Sequence, residues 1–342
     1  MARQTPPFQF DPWLASSLLQ KAIRRGETEL AEQAATSLLR LRGSAMWRRF
    51  IVIAVEDVGI AAPDAVSEVV AICSDREYRG LRGDEEAARY LARRLAAVPK
   101  DRSADLLMSA FRHHPALEQT RKAVEALAPN ERRTWPADPS RSLYERSAAA
   151  WPANGLRYVG DELSLLLTGF ADLGVSQGLI ESVARAESRT REPFCLLLPL
   201  LWLTAMPETS VEAAADFFPP SRTVGGVPLW TLDFHTRAGR TAIQRFTREN
   251  AAVRQALRES VSHNRHTEAA YLAAFYTDAA CCTLSMDWSL RAEIEQFGME
   301  ADFAHAGVSP EHVCSLLAVF NGNVDHLNDV RENVLIQYLE GI

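Results

Sequence analysis

The chain has 342 residues, 47% of them apolar, which is enough for a sizeable core and excludes a disordered polypeptide. Its formal charge of −7 is uneven: residues 1–150 carry 23 Lys and Arg against 20 Asp and Glu, and residues 151–342 carry 14 against 24. The first half could face a polyanion, the second as a whole could not, and the length suits two domains.

Residues 1–12, with Pro6, Pro7 and Pro12, read as a loose arm. From Trp13 the period is helical, with Leu14, Leu18, Ala22 and Ile23 on one stripe, and a second stripe runs from Thr28 to Leu41. The two make a helical hairpin with Gly26 at the turn. Residues 45–58 predict a third helix, apolar nearly all round and therefore central. Pro63–Ile72, Asp84–Ala97 and Ala104–Arg112 predict three more, and no strand-length alternation interrupts them.

Residues 128–158 hold Pro129, Pro136, Pro139 and Pro152 and predict a linker between a first helical domain, 13–127, and a second, 159–342. Helical patterning resumes at 161–173 and 177–187. The run from Phe194 to Ala205 reads as a buried helix interrupted by Pro199, and 207–229 as a loop. Helices are then expected at Thr236–Ser260, Glu268–Thr283, Val308–Phe320 and Asn328–Glu340. The fold expected is all-α, a helical bundle followed by a second helical domain. No strict repeat period appears.

Five cysteines without a CxxC argue against a disulfide framework or a zinc ribbon. Cys281 and Cys282 are adjacent and read as packing in an apolar helix. The N-terminus has no apolar signal region, and the longest apolar stretch is too short to span a bilayer, so a cytoplasmic setting without membrane contact is expected.

Four phrases occur in order: SLLQKAIRRGE (17–27), AATSLLRL (34–41), WRRFIVIAVEDVGIAAPDA (47–65) and AARYLARRLAAVPKDRSADLLMSAF (87–111). The series resembles the C-terminal collar and tetramerisation region of the RarA/MgsA family, AAA+ ATPases related to clamp loaders that act at stalled replication forks. The matching residues include Arg48, Arg49, Glu56, Asp57, Gly59, Pro63, Pro99 and Lys100. The chain departs from that pattern at Asp101-Arg102 and at Ala62. The resemblance covers residues 14–112 and implies a helical self-associating module, DNA as a partner and an AAA+ ATPase as another. The motor itself is not there: no GxxxxGK[ST] occurs, so no phosphate-cradling loop can be assigned.

The acidic pair Glu56-Asp57 ends the third helix among Ile and Val. Buried carboxylates need partners, so the pair is expected to act as a clamp, with Arg24, Arg25 or Arg49 forking to Glu56 and with Asp57 bonding backbone amides. Adjacent carboxylates on an α-helix point about 100° apart, which disfavours a shared catalytic role. Arg40, Arg42, Arg48, Arg93, Arg94 and Lys100 are candidate nucleic-acid contacts, with a solvated, ion-paired surface as the alternative. In GGVPLWTLDFHTRAGRTAIQRF (225–246), Thr236 is a good N-cap, and Thr236, Arg237 and Arg240 form a candidate anion site. Asp233 could orient His235 as an imidazole base, the weak catalytic candidate, but no nucleophile sits in a GxSxG elbow. His263 and His266 have a spacing that suits a metal, but no HExxH accompanies them, so no metal and no cofactor is expected.

The function expected is that of a non-catalytic oligomerisation adaptor in DNA replication, recombination or repair. It would self-associate through the apolar faces of helices 13–25 and 45–58. Two alternatives stand beside it. One is an enzyme or anion-binding protein with a site at Asp233, His235, Arg237 and Arg240. The other is a mobile-element or defence factor that binds a host clamp-loader-like ATPase.

Overall fold

Asp11 opens the first helix: its Oδ1 accepts from the backbone N–H groups of Trp13 (2.6 Å) and Leu14 (3.0 Å), and Pro12 fills the first turn, where no N–H is needed. The computed structural model describes residues 11–150, 161–205 and 218–340. Over these residues the chain is all-α, with nineteen α-helices and one two-stranded ribbon pairing Thr223–Val224 with Val227–Pro228. The expected arm, residues 1–12, falls mostly outside the described residues.

α1 (Pro12–Arg24) and α2 (Thr28–Arg42) form the hairpin, turned by Gly26 at φ +69°. α3 (Ala45–Ile53) does not continue as one α-helix to residue 58: Ala54–Val58 is a π-turn, stopped by Gly59 at φ +50°. A Cβ on Gly59 would stand 2.7 Å from the Asp101 carbonyl oxygen, so both the left-handed backbone and the close approach require glycine. α4 (Pro63–Ser74), α5 (Arg76–Arg82), α6 (Asp84–Ala97) and α7 (Ser103–His113) follow.

The stretch expected as a linker is largely helical. α8 (Glu118–Glu125) precedes it, and α9 (Pro129–Thr134) and α10 (Leu143–Ala150) lie within it. Trp135, Leu143 and the alanines 148–150 are buried in the core. Pro129 and Pro136 start helical turns rather than break them, because proline is well placed in a first turn. Residues 151–158 lie outside the described residues. Pro193 and Pro199 act the same way. A 3₁₀ turn over Pro193–Leu197 leads into α13 (Leu198–Ala205), so Pro199 sits in its first turn and interrupts nothing.

Between them lie α11 (Asp161–Asp172) and α12 (Gln177–Thr190). The long helix expected over 236–260 is two, α14 (Arg237–Glu249) and α15 (Ala251–Ser260). Asn250 leaves the helix to cap the second one, its Oδ1 accepting from the Val253 N–H at 3.0 Å. α16 (His266–Ala274) ends in a second π-turn, Phe275–Ala279, rather than running to residue 283. α17 (Arg291–His305) was not expected from the pattern, and α18 (Pro310–Asn321) and α19 (Val324–Glu340) close the fold.

α17 lies along α7, with Gly298 so close that a Cβ would meet the Leu106 Cβ at 2.6 Å. The Lys100 backbone N–H donates to the Leu284 carbonyl (3.0 Å), and its carbonyl accepts from the Met286 N–H (2.9 Å). The buried side chains of the two halves form one continuous core, so the packing does not follow the expected division at 128–158. The apolar faces of α1 and α3 that were expected to join subunits are used inside the chain. Leu14, Leu18, Leu19, Ile23, Phe50 and Ile53 are all buried. No helix of the described residues is long and apolar enough to cross a membrane.

One order of elements recurs. α1, α2, α3 and the π-turn 54–58 have a counterpart in α14, α15, α16 and the π-turn 275–279. In each π-turn the fourth residue is a buried aspartate bonded to a buried arginine: Asp57 to Arg24, and Asp278 to Arg331. Isolated π-turns inside helices are rare, and they concentrate where a side chain must be aimed.

Candidate functional site

Ser17, Gln20, Lys21 and Arg24 lie on one face of α1 at helical spacing, and all four are buried. Arg24 bonds both carboxylates of the acidic pair, reaching Asp57 through Nε and Glu56 Oε1 through Nη2 at 3.0 Å. Gln20 Nε2 donates to the same two residues, at 2.8 Å to Glu56 and 2.7 Å to Asp57. Its Oε1 accepts from Arg49. The wider π-turn brings together two carboxylates that an α-helix would splay apart.

The expected clamp is therefore built by Arg24 directly and by Arg49 through Gln20. Arg25 is not part of it: its Nη2 donates to the Asp278 carbonyl at 2.7 Å, and its guanidinium lies over the Trp230 ring. Nor does Asp57 cap a helix with its side chain. Its backbone carbonyl accepts from the Asp101 N–H at 3.1 Å. That bond joins the EDVG turn to the PKDRS turn, and the QKAIRRGE helix closes on the first of them through Arg24.

Arg102 continues the network from α7. Its Nη2 donates to Asp105 Oδ2 at 3.0 Å, and its Nε stands 3.5 Å from Asp57. Phe275, from the second π-turn, lies beneath the guanidinium groups of Arg24 and Arg102 at 5.7 and 5.8 Å. Asp302, from α17, accepts from the Tyr276 hydroxyl at 2.6 Å. Burial pushes the carboxyl groups of Asp57, Asp105 and Asp302 up, against the opposing pull of Arg24 on Asp57, of Arg102 on Asp105 and of Tyr276 on Asp302.

The opposite wall comes from residues 233–240. Asp233 is fully buried and accepts from Lys21 Nζ at 2.7 Å. The same oxygen lies 2.9 Å from His235 Nδ1, and Oδ1 accepts the His235 backbone N–H at 3.0 Å. Burial alone would raise the Asp233 carboxyl, but the Lys21 ammonium and His235 override it and hold it well below the ordinary range. Thr236 caps α14, its Oγ1 accepting from the Gly239 N–H at 2.9 Å, and Arg240 folds back to the Phe234 carbonyl at 2.9 Å. Arg237 is exposed and takes no part in the cleft lining.

These walls enclose one cleft of about 670 Å³. Arg49, Glu56, Arg102, Asp105, His235 and Arg240 line it, with Trp13, Phe234 and Phe275 as its aromatic surface. The acidic pair and the His235 stretch, read from sequence as separate features, thus belong to one site. Most of its charges cancel in pairs. Among the described residues, Arg49 and Arg240 stand within 4 Å of no carboxylate, and Asp302 is in no ion pair, so two guanidinium groups and one carboxyl group of the cleft are left unmatched.

The candidate nucleic-acid contacts are mostly engaged elsewhere. Arg40 pairs with Glu85, Arg48 with Glu192, Arg93 with Glu32 and Arg94 with Glu68. Arg42 lies over the Trp13 ring at 4.9 Å. Lys100 cannot touch a duplex: it is 1% exposed, and its ammonium is bonded to the carbonyls of Ala96 and Val98. Cys281 and Cys282 do not sit in a helix but follow the second π-turn and line a cavity. The rings of His263 and His266 lie 5.0 Å apart, and no group of three metal-ligating side chains occurs among the described residues.

Sequence reading missed Ser17, Gln20 and Lys21, although a polar i, i+3, i+4, i+7 face on an otherwise apolar helix was there to be seen. Arg102, Asp105 and Ser109 repeat that signal on α7. Asp302 gave none, since its helix was itself unexpected. The fold and the cleft define the class: an all-α protein built around a charged inter-helix cleft. No protein-family model matches the chain, and no curated protein or solved structure does.

Proposed function

We propose that this chain is a helical binding protein whose cleft holds a molecule bearing a phosphate or carboxylate group. We further propose that it works as an adaptor beside the DNA replication or recombination machinery, as the resemblance of residues 14–112 to the RarA/MgsA collar implies. One observation carries the binding reading. Six separate stretches, 13–24, 49–56, 102–109, 233–240, 272–275 and residue 302, meet in a single cleft where, among the described residues, Arg49 and Arg240 lack acidic partners. A guanidinium fork suits planar anions, and the cleft volume falls in the range of small-molecule sites. An enzyme reading would use the 2.9 Å contact of Asp233 with His235. Against it, Lys21 holds the same carboxylate oxygen, so Asp233 is not reserved for the imidazole.

The test is calorimetric titration of the purified protein with inorganic phosphate, nucleotides and dicarboxylates. We expect saturable binding by at least one of them. Arg49→Ala combined with Arg240→Ala should weaken it at least about tenfold, the loss of one or two charge-assisted bonds, while leaving the melting temperature within a few degrees. Absence of binding across the panel, or unchanged binding in the double variant, refutes the reading.

A self-associating adaptor is the second reading. What favours it is exposed apolar surface: Trp13, at the cleft, is 61% exposed, and Leu41, on α2, is 41% exposed. Solution mass measured across concentration, with and without forked DNA, tests it. A monomer at all concentrations in both conditions would remove it.

A further inference from the structure

Residues 280–286 leave the second π-turn as an irregular strap between the two halves of the chain. The Thr283 N–H donates to the Arg24 carbonyl at 2.9 Å, and three residues of the strap, Leu284 to Met286, are zipped to Lys100. Leu284 adopts φ +50°, a left-handed conformation that a leucine takes only under constraint. Pinned at Arg24 on one side and Lys100 on the other, the strap carries Cys281 and Cys282.

Both residues are thiols. They line a cavity of about 440 Å³ together with Lys100, Arg102 and Arg291 and with the carboxylates Asp101 and Glu295, the latter paired with Arg291. Cys282 is 4% exposed, and Cys281 is half-buried. A negative charge on the Cys282 sulfur would favour the charged forms of Lys100, Arg24 and Arg102 alike. Cations near a thiol favour its thiolate, the nucleophilic form, while burial works against it. Cys314, by contrast, lies exposed on α18. A cavity reached by both sulfurs, a strained strap, the buried Lys100 and the nearby Arg102 are more than the packing of two small side chains needs.

We propose that Cys282 is a peroxide-oxidisable thiol and Cys281 its resolving partner. The Cys282 thiolate attacks one oxygen of hydrogen peroxide. The O–O bond breaks, the departing hydroxide takes a proton to become water, and Cys282 becomes a sulfenic acid. The Cys281 thiolate then attacks the Cys282 sulfur, an S–S bond forms, and the second hydroxide leaves as water. Two thiols supply the two electrons that reduce one peroxide. Peroxide is little larger than water, so the cavity admits it to the Cys282 thiol.

The experiment treats the reduced full-length protein with less than one equivalent of hydrogen peroxide and maps each cysteine by mass spectrometry. Oxidation at Cys281–Cys282 should exceed that at Cys314 by at least about tenfold, the effect expected when cations lower a thiol by one unit. The product should have lost two hydrogens. In Cys281→Ser, dimedone should trap the sulfenic acid on Cys282; in Cys282→Ser, neither disulfide nor adduct should form at the strap. Equal or faster oxidation of Cys314, or a dimedone adduct on Cys281 in Cys282→Ser, overturns the assignment. Should either serine variant fail to fold, the wild-type comparison with Cys314 decides alone.

Discussion

Asp57→Ala is the sharpest probe of the network beneath the cleft. Asp57 is fully buried and receives Arg24, Gln20 and, at 3.5 Å, Arg102. Truncation leaves two guanidinium groups, 3% and 9% exposed, without the shared buried carboxylate between them, with only Glu56 for Arg24 and Asp105 for Arg102. Breaking a buried pair from one side typically costs about 3–5 kcal/mol. Glu56 shares Arg24 and Gln20 but is 16% exposed, so water can replace it, and Glu56→Ala should cost about 1 kcal/mol or less. If uncompensated charge is the cause, Arg24→Met added to Asp57→Ala should recover part of the loss, since well-packed apolar groups often replace a buried pair at little cost. Urea denaturation followed by circular dichroism measures all four proteins. An Asp57→Ala protein within about 1 kcal/mol of wild type, or a double variant less stable than Asp57→Ala, would falsify the argument.

Asp233 gives a pH test. Its folded carboxyl sits below the ordinary value of 3.8, so it binds protons more weakly when folded than when unfolded. The resulting stability is fully present above that value and is lost as pH falls through the folded one. Asp233→Asn should therefore lower the melting temperature at pH 6 and converge on wild type as pH falls below about 3.8; a gap that does not narrow contradicts the pairing with Lys21. Gly298→Ala probes the α7–α17 seam. The new methyl would lie 2.6 Å from Leu106 Cβ and 2.7 Å from its carbonyl oxygen, and overpacking of this kind costs about 1–3 kcal/mol. A thermal melt unchanged by the substitution would mean that the two helices are not in register there.

Much of the helix pattern was legible because apolar stripes at helical spacing survive any tertiary arrangement. The hairpin over α1 and α2, and the cores of α3, α6 and α7, follow from Leu14, Leu18, Phe50, Leu91 and Leu107 alone. Prolines misled, since Pro129, Pro136 and Pro199 lie in first turns, where a missing N–H is harmless. α17 escaped notice because its stripe is weak and its close contact is made by Gly298, which leaves no apolar signature. At the cleft, the chemistry of Glu56-Asp57 and of Asp233-His235 could be read in each segment. Their convergence could not, because it depends on two π-turns and on pairing across more than two hundred residues, as between Lys21 and Asp233. Arg25 was misassigned for the same reason: its partner, the Asp278 carbonyl, comes from the second half.

The strap that ties Lys100 to Leu284 and Met286 has a consequence for how the molecule is made. A nascent chain leaves the ribosome with α1 to α7 first, long before their final neighbours have been translated. Until residue 286 emerges, the Lys100 N–H and carbonyl lack their partners, and until residue 305 emerges, α7 has no α17 to lie against. The amino-terminal helices must therefore wait, unfinished, for nearly the whole polypeptide, and a chaperone that shields that waiting surface would act on the α7 face around Leu106.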